Sequence, residues 1–386
     1  MKRIFALTLI TAICLSLFGC SQKEQKSYMD ILAEKGWESD EFSQPYEFPE
    51  REFSITVNDD YDGRSMDLSE YDIKSYEYKW LSFDTKTVFD DEDIPDWFDP
   101  ESEIELGKNP GFGIRELHKK GITGKGVNIG IVDQELHLHE EYKGKIRYYY
   151  NANEMQRDAS MHGPAVTSLA VGETCGPAPD ANVYYACSIW NDYEEGTEEF
   201  YKAHFFDSIN HLLDLNETLS EEDKMVAISV SRGFPDETME GYQQVIERAK
   251  EQGVWLITVN EAGRYFNSLT RELGVSYENI EYTRAVNPET GAVNPDANKI
   301  GIPMDRRTYA SMTGENEYEY CSKGGFSWVE PYVAGVYALA KQVCPEVTVD
   351  EFIELARKTQ VTYQEGDNTA VNGLNMAAII EELEKR

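Results

Sequence analysis

Five short runs that are almost wholly apolar, at 127–132 (VNIGIV), 182–187 (NVYYAC), 225–230 (MVAISV), 254–259 (VWLITV) and 299–303 (KIGIP), alternate with stretches of helical period at about 162–172, 197–215, 237–253 and 328–343. A strand without a polar face has to be covered on both sides, and strands separated by helices pair in parallel. The pattern predicts a three-layer α/β domain: a mostly parallel, twisted sheet with helices on both faces. It also says where to look for chemistry, because ligands on such sheets sit outside the carboxyl ends of the strands. The chain contains no internal repeat and no low-complexity tract.

Asp133 and Asn260 stand at two of those strand ends. Each alone is ordinary turn chemistry, since short polar side chains bond their own backbone there. His162 is more distinctive. It opens MHGPAV, a run of small residues in which Pro164 suits the first turn of a helix. His118, His137, His139, His204 and His211 have no such setting and read as packing or surface residues. Ser327 lies in GGFSWVEPYVAG, between a glycine pair and a helical run, and by itself reads as a helix N-cap. Beyond it Val329, Val333, Val336, Ala340 and Val343 form one buried stripe, with Gly335 permitting close packing.

The order Asp, His, Ser, each at the end of an element in one α/β domain, is one of the convergent arrangements of the nucleophilic triad. The neighbouring residues agree with it. GITGKGVNIGIVD, ending at Asp133, is similar to the aspartate motif of the subtilisin-like serine proteases, and His162-Gly163 with its small-residue helix is similar to their histidine motif. GPAPDANVY (176–184) resembles the turn and strand that follow, ISVSRG (228–233) the substrate-binding strand, and VNE (259–261) the oxyanion asparagine. G-x-S-x-x-x-P-x-V-A-G, from Gly325 to Gly335, keeps every spacing of the nucleophile motif. By this resemblance, which spans about 110–386, the chain is identified as a member of that family with a subtilisin-like fold. The resemblance implies a serine endopeptidase in which Ser327 is the nucleophile, His162 the general base and Asp133 its orienting carboxylate. Asn260 and the Ser327 backbone N–H would form the oxyanion hole. Peptide would bind by strand addition along Ser231, Arg232 and Gly233 on one side and 190–194 on the other. Arg232 would favour an acidic substrate side chain and Asp192 and Glu194 a basic one, unless these charges face solvent. A polypeptide substrate, a monomeric enzyme and no cofactor are expected.

Four departures accompany the match. Gln134-Glu135 follows Asp133 where Ser/Thr-Gly is usual, leaving the Gln134 amide as the available donor; Pro164 replaces threonine; Val259 precedes Asn260 in place of glycine; Phe326 and Trp328 flank Ser327. None removes a catalytic group. The alternative is a catalytically inactive binding or scaffolding lipoprotein that keeps the fold.

The amino-terminal part reads separately. A basic start (Met1-Lys2-Arg3), an apolar run from Ile4 to Phe18 too short to span a bilayer, and Gly19-Cys20 make a secretory signal, 1–20. LFGC resembles the bacterial lipobox, which implies lipidation of Cys20 and an anchored protein on the extracytoplasmic side of a bacterial membrane. Residues 21–105 follow as a polar tether and an acidic, aromatic accessory or propeptide-like segment, ahead of a peptidase domain at 106–386; a retained segment is favoured, because removal would free the domain from its anchor. The net charge of −35 argues against nucleic acid or anionic lipid headgroups as electrostatic partners. The acidic runs at 59–62 and 90–93 lack the loop spacing of an EF-hand and read as solvated surface, so a structural calcium ion is only a weak option. Cys175, Cys187, Cys321 and Cys344 allow two disulfides in three pairings.

Overall fold

A computed structural model of the chain describes residues 27–55, 61–90, 92, 94–153, 157–188, 197–286, 298–365 and 369–386. The signal and Cys20 lie outside the described residues, as do 189–196, which include the second proposed edge of the cleft. The chain divides into two compact units after Glu38. In the first, helix α1 (Tyr28–Glu34) starts from a capping box in which the Ser27 hydroxyl accepts the Asp30 N–H and the Asp30 carboxylate accepts the Ser27 N–H.

The second unit opens with strands β1 (Ser54–Ile55), β2 (Tyr61–Asp62) and β3 (Leu81–Asp84), then helices α2 (Pro100–Lys108) and α3 (Ile114–Lys119). The central sheet follows: β4 (Asn128–Asp133), β5 (Ile146–Asn151), β6 (Asn182–Cys187), β7 (Met225–Val230) and β8 (Trp255–Thr258). Its order is β5-β6-β4-β7-β8 and every pair is parallel. Helix α4 (His162–Val171) lies between β5 and β6 in the chain. Helices α5 (Glu198–Tyr201) and α6 (Asp207–Thr218), joined by a π-helical turn, precede β7, and α7 (Glu240–Glu251) precedes β8. After β6 the chain crosses β4 to lay β7 on its other side, so the strand order reverses around β4. A crevice forms where order reverses, outside the carboxyl ends of the strands. Asp133 and Ser231 both stand there.

Immediately after β8 comes α8 (Val259–Tyr265), capped by the Thr258 hydroxyl, which accepts the Glu261 N–H. The remaining elements are β9 (Phe266–Arg271), β10 (Thr283–Val286), β11 (Ile300–Pro303), β12 (Arg307–Ala310), β13 (Tyr318–Cys321), α9 (Val329–Val343), α10 (Val349–Thr359), β14 (Val361–Glu365), β15 (Thr369–Gly373) and α11 (Met376–Leu383). The fifth apolar run, 299–303, was expected beside the other four. It forms β11 of a second sheet, β10-β9-β11-β15-β14, because the chain turns into α8 at Thr258 and its next strand, β9, pairs with β11.

Helices α4 and α9 pack on each other and on β4, while α6 and α7 pack on each other and on β6 and β8. The helix pairs thus cover the two faces that the apolar strands require. Gly335 is needed for this: a Cβ there would fall 2.4 Å from Pro177 Cγ and 2.7 Å from the Ala170 carbonyl oxygen.

The third sheet, β1-β2-β3-β13-β12, joins strands from before residue 106 to strands from after it, with β3 antiparallel to β13. Phe83, Phe98, Tyr78, Leu81 and Tyr320 share one buried cluster beneath it. Helix α2 runs through 105/106. Its buried Glu103 pairs with buried Arg271 at 2.8 Å. Cys175, Cys187, Cys321 and Cys344 form no disulfide. Among the described residues, no helix is long and apolar enough to cross a membrane, and no three His, Cys, Asp or Glu side chains converge as a metal site.

Candidate active site

Asp133 is the last residue of the central strand β4 and is buried. Its Oδ1 accepts the Gln134 backbone N–H at 2.8 Å, so the backbone of Gln134 supplies the donor that its side chain was expected to provide. The same oxygen lies 2.7 Å from His162 Nδ1. His162 is the first residue of α4, and Gly163 explains how the helix starts so close to β4. A Cβ on Gly163 would sit 2.7 Å from the carbonyl oxygens of both Gln134 and Glu135. Burial works against a charged imidazole here, but the adjoining Asp133 carboxylate outweighs it and raises the pKa of His162 above its ordinary value. The pair is set to hold a proton on the ring and stabilise the resulting cation.

Ser327 lies in a single 3-10 turn, Phe326–Trp328, that leads into α9. It caps no helix, contrary to what its local sequence implies, because the N-cap position of α9 falls on Trp328 and has no side-chain cap bond. The Ser327 hydroxyl donates to the Ser231 carbonyl at 3.4 Å, and the Ser231 hydroxyl donates to the Ser327 carbonyl at 2.8 Å. Among the described residues no hydrogen bond joins Ser327 to His162. Instead the Trp328 ring faces His162, with centroids 5.2 Å apart and planes at 32°.

Asn260, expected at a strand end, is the second residue of α8. Its carboxamide pairs in both directions with the backbone of one residue: Oδ1 accepts the Phe234 N–H at 2.7 Å and Nδ2 donates to the Phe234 carbonyl at 2.9 Å. The second N–H of the amide is left for another acceptor. This pairing anchors the chain just beyond Ser231, Arg232 and Gly233. The Arg232 guanidinium lies 5.8 Å from the ring centroids of Phe200, Tyr201 and Phe205, a cation on an aromatic bed. Its N–H and carbonyl are engaged by Val230 and Val259.

Two further carboxyl groups border the site and were not singled out from the sequence. Asp305 Oδ1 accepts the Gly324 N–H at 2.8 Å, which ties down the turn ahead of Ser327; burial lifts its pKa to about 6. Glu330, in the first turn of α9, is wholly buried, and neither carboxyl oxygen has a hydrogen-bond partner. Burial, with the nearby Asp133 charge adding to it, pushes the Glu330 pKa well up, which favours its neutral form. A glutamate inside the apolar stripe of a helix was the readable signal for it.

No protein-family profile matches the chain. It is 24% identical over 299 residues to the subtilisin-like protease PopC of Myxococcus xanthus, an alignment covering 67% of this chain and 62% of that protein. In sequence the chain is thus similar to a subtilisin-like protease. Its fold is similar to that of the A-subunit of the AB5 toxin from E. coli, with a TM-score of 0.54, 14% identity and coverage of 71% of this chain and 98% of that one. It is also similar to the subtilase cytotoxin SubAB, with a TM-score of 0.50, 14% identity and coverage of 72% and 95%. The chain spans less than two thirds of PopC, and the likeness to the two toxin structures is one of fold.

Proposed function

We propose that this chain is a subtilisin-like serine endopeptidase acting on extracytoplasmic polypeptides. The observation that carries the reading is the 2.7 Å contact between Asp133 Oδ1 and His162 Nδ1 at the end of the central strand. PopC, named as a subtilisin-like protease, supports the same reaction class. In the proposed reaction Ser327 leaves the Ser231 carbonyl by side-chain rotation and gives its proton to His162 Nε2 as its Oγ bonds the substrate carbonyl carbon. Asp133 stabilises the imidazolium, which then protonates the leaving amine as the C–N bond breaks. Water, deprotonated by the same histidine, releases the acyl group and regenerates Ser327. The free Asn260 N–H and the Ser327 backbone N–H, at the positive end of α9, would take the oxyanion. Ser231, Arg232 and Gly233 would line the substrate strand.

The second reading, a subtilase fold kept for binding alone, is favoured by two observations. The Ser327 hydroxyl is turned to Ser231, and the Asn260 amide is paired with Phe234. Catalytic hydrogen bonds that form only with substrate account for the same facts under the first reading. Treating the full-length chain with a fluorophosphonate probe separates them: the protease labels at Ser327 and Ser327→Ala abolishes it, whereas an unlabelled, folded wild type leaves the binding reading.

The reading includes an anchor. Lipid on Cys20 would hold a monomeric enzyme at the outer side of a bacterial membrane with its accessory segment retained. Cys20→Ala is expected to move the protein from the membrane fraction to the medium. A mature amino terminus near Pro110 on the cell-associated protein would contradict retention.

A further inference from the structure

The accessory segment reaches the proposed catalytic histidine through a chain of buried contacts. Arg64 follows β2 and grips Asp62 with two hydrogen bonds, at 2.8 and 3.0 Å. Its third arm donates to Oε1 of Glu319, in β13, at 2.9 Å. Glu319 is 1% exposed, and the same Oε1 accepts the Tyr309 hydroxyl at 2.8 Å. Tyr309, in β12, is wholly buried. Its hydroxyl lies 3.8 Å from the sulfur of Met161, the residue before the histidine. Its ring lies 5.1 Å from that of Trp328, which in turn faces the imidazole.

We propose that Arg64 is a positioning residue for His162, acting through Glu319, Tyr309 and Trp328, so that the accessory segment is a permanent working part of the catalytic unit. The inference rests on the peptidase reading for its activity test, though not for its structural one. The physical case begins with Glu319. A buried carboxylate whose cationic partner is removed is left uncompensated, and breaking such a pair by removing one member is strongly destabilising. Without Arg64 the carboxylate has to protonate or turn toward solvent; the first change weakens the bond it accepts from the Tyr309 hydroxyl and the second breaks it. Trp328 lies against the ring of His162, and Tyr309 lies against Trp328 and the sulfur of Met161. One aromatic face, backed by Tyr309, and one hydrogen bond together define the orientation of the ring. Loss of the aromatic seat leaves the hydrogen bond as a pivot. Displacement of a catalytic group by about 1 Å can cost on the order of a hundredfold in rate, so a small tilt is enough.

Spatial contiguity alone does not establish coupling, and a double-mutant cycle does. Full-length wild type, Arg64→Met, Tyr309→Phe and the double variant are compared by the second-order rate of fluorophosphonate labelling. Each single change is expected to slow labelling about tenfold, and the double variant to be no slower than the slower single one. Lys74→Ala, an exposed change in the same segment, is expected to label at the wild-type rate. Wild-type rates in Tyr309→Phe, or losses that simply multiply in the double variant, overturn the inference. Should Arg64→Met fail to fold, Tyr309→Phe carries the test, since it removes one hydroxyl and leaves the Arg64–Glu319 pair in place. The second readout is the NMR titration of the His162 ring, which a remote stability effect does not move. A displaced midpoint in Tyr309→Phe is expected, and an unchanged one overturns the inference. If folded wild type shows no Ser327-dependent labelling, the peptidase reading fails while the titration still decides the positioning claim.

Discussion

The two sides of the candidate site are built differently. On one side Asp133 and His162 are in contact, each fixed by secondary structure: one ends the central strand, the other starts a helix that Gly163 allows to press against the chain leaving that strand. On the other side Ser327 and Asn260 are each bonded to neighbouring backbone, at Ser231 and Phe234, with one Asn260 N–H left over. The first half is a product of the core and exists without substrate. The second is held in bonds that a peptide's own carbonyl and N–H groups can replace. An extended substrate competing for the backbone around Ser231 would turn the Ser327 hydroxyl toward His162.

Removing the assembled half is expected to have the largest effect. Asp133→Ala will lower kcat/KM on a peptide substrate by about 10⁴-fold, because the imidazole loses both its orientation and its counter-charge. The same pair predicts a pH effect of definite sign. His162 is raised by Asp133, so the base becomes neutral above the ordinary histidine value of about 6.5, and the acidic limb of the rate profile lies higher than that. Asp133→Asn will move this limb down. In stability terms the protonated pair helps the folded state below about pH 6.5, and the contribution disappears as pH rises through the raised pKa.

On the other half, Asn260→Ala is expected to cost roughly 2.7 to 4 kcal/mol of transition-state stabilisation if its free N–H serves the oxyanion. A loss confined to KM would instead mean that Asn260 only anchors Phe234, and would sharpen the contrast between the halves. Gly163→Ala tests the backbone basis of the first half. The added methyl meets two carbonyl oxygens, so α4 has to shift, and a loss of about a hundredfold in kcat with the protein still folded is the expected result. Wild-type activity in that variant would break the claim that the helix start sets the pair.

The smallest effect concerns the turn before Ser327. Burial raises Asp305 to about pH 6, above the ordinary aspartate value of about 3.9, so the folded state binds its proton more tightly than the unfolded chain. Stability from this group therefore falls as pH climbs from about 4 to 6. Asp305→Asn keeps an acceptor for the Gly324 N–H and removes the buried charge. It is expected to raise stability at pH 7 by about 1 to 3 kcal/mol, measured by urea unfolding, and to flatten the pH dependence across that interval.

Much of this organisation was legible along the chain. The four apolar runs that form the central sheet and the helices beginning at His162 and after Ser327 follow from side-chain pattern alone, since a strand buried on both faces can tolerate few polar residues. Asn260 shows the limit. Its segment looks like a strand to the end, yet the hydroxyl of Thr258 caps a helix there, and a cap depends on which backbone donors are left unpaired. The run at 299–303 is apolar enough for the central sheet, but pairing partners decide membership, and its partners are β9 and β15. Glu330 stood in plain view within an apolar stripe, although only burial revealed that it lacks a hydrogen-bond partner.

The sequence by itself determined the layered α/β class, the strand ends where polar residues gather and the order of Asp133, His162 and Ser327, because these depend on local pattern and spacing. Tertiary structure alone decided that Asp133 and His162 meet while Ser327 and Asn260 are engaged elsewhere, and that Arg64 and Glu319 join across 255 positions of chain. Such contacts are set by how whole elements pack, and packing distances of a few tenths of an ångström leave no trace in residue order.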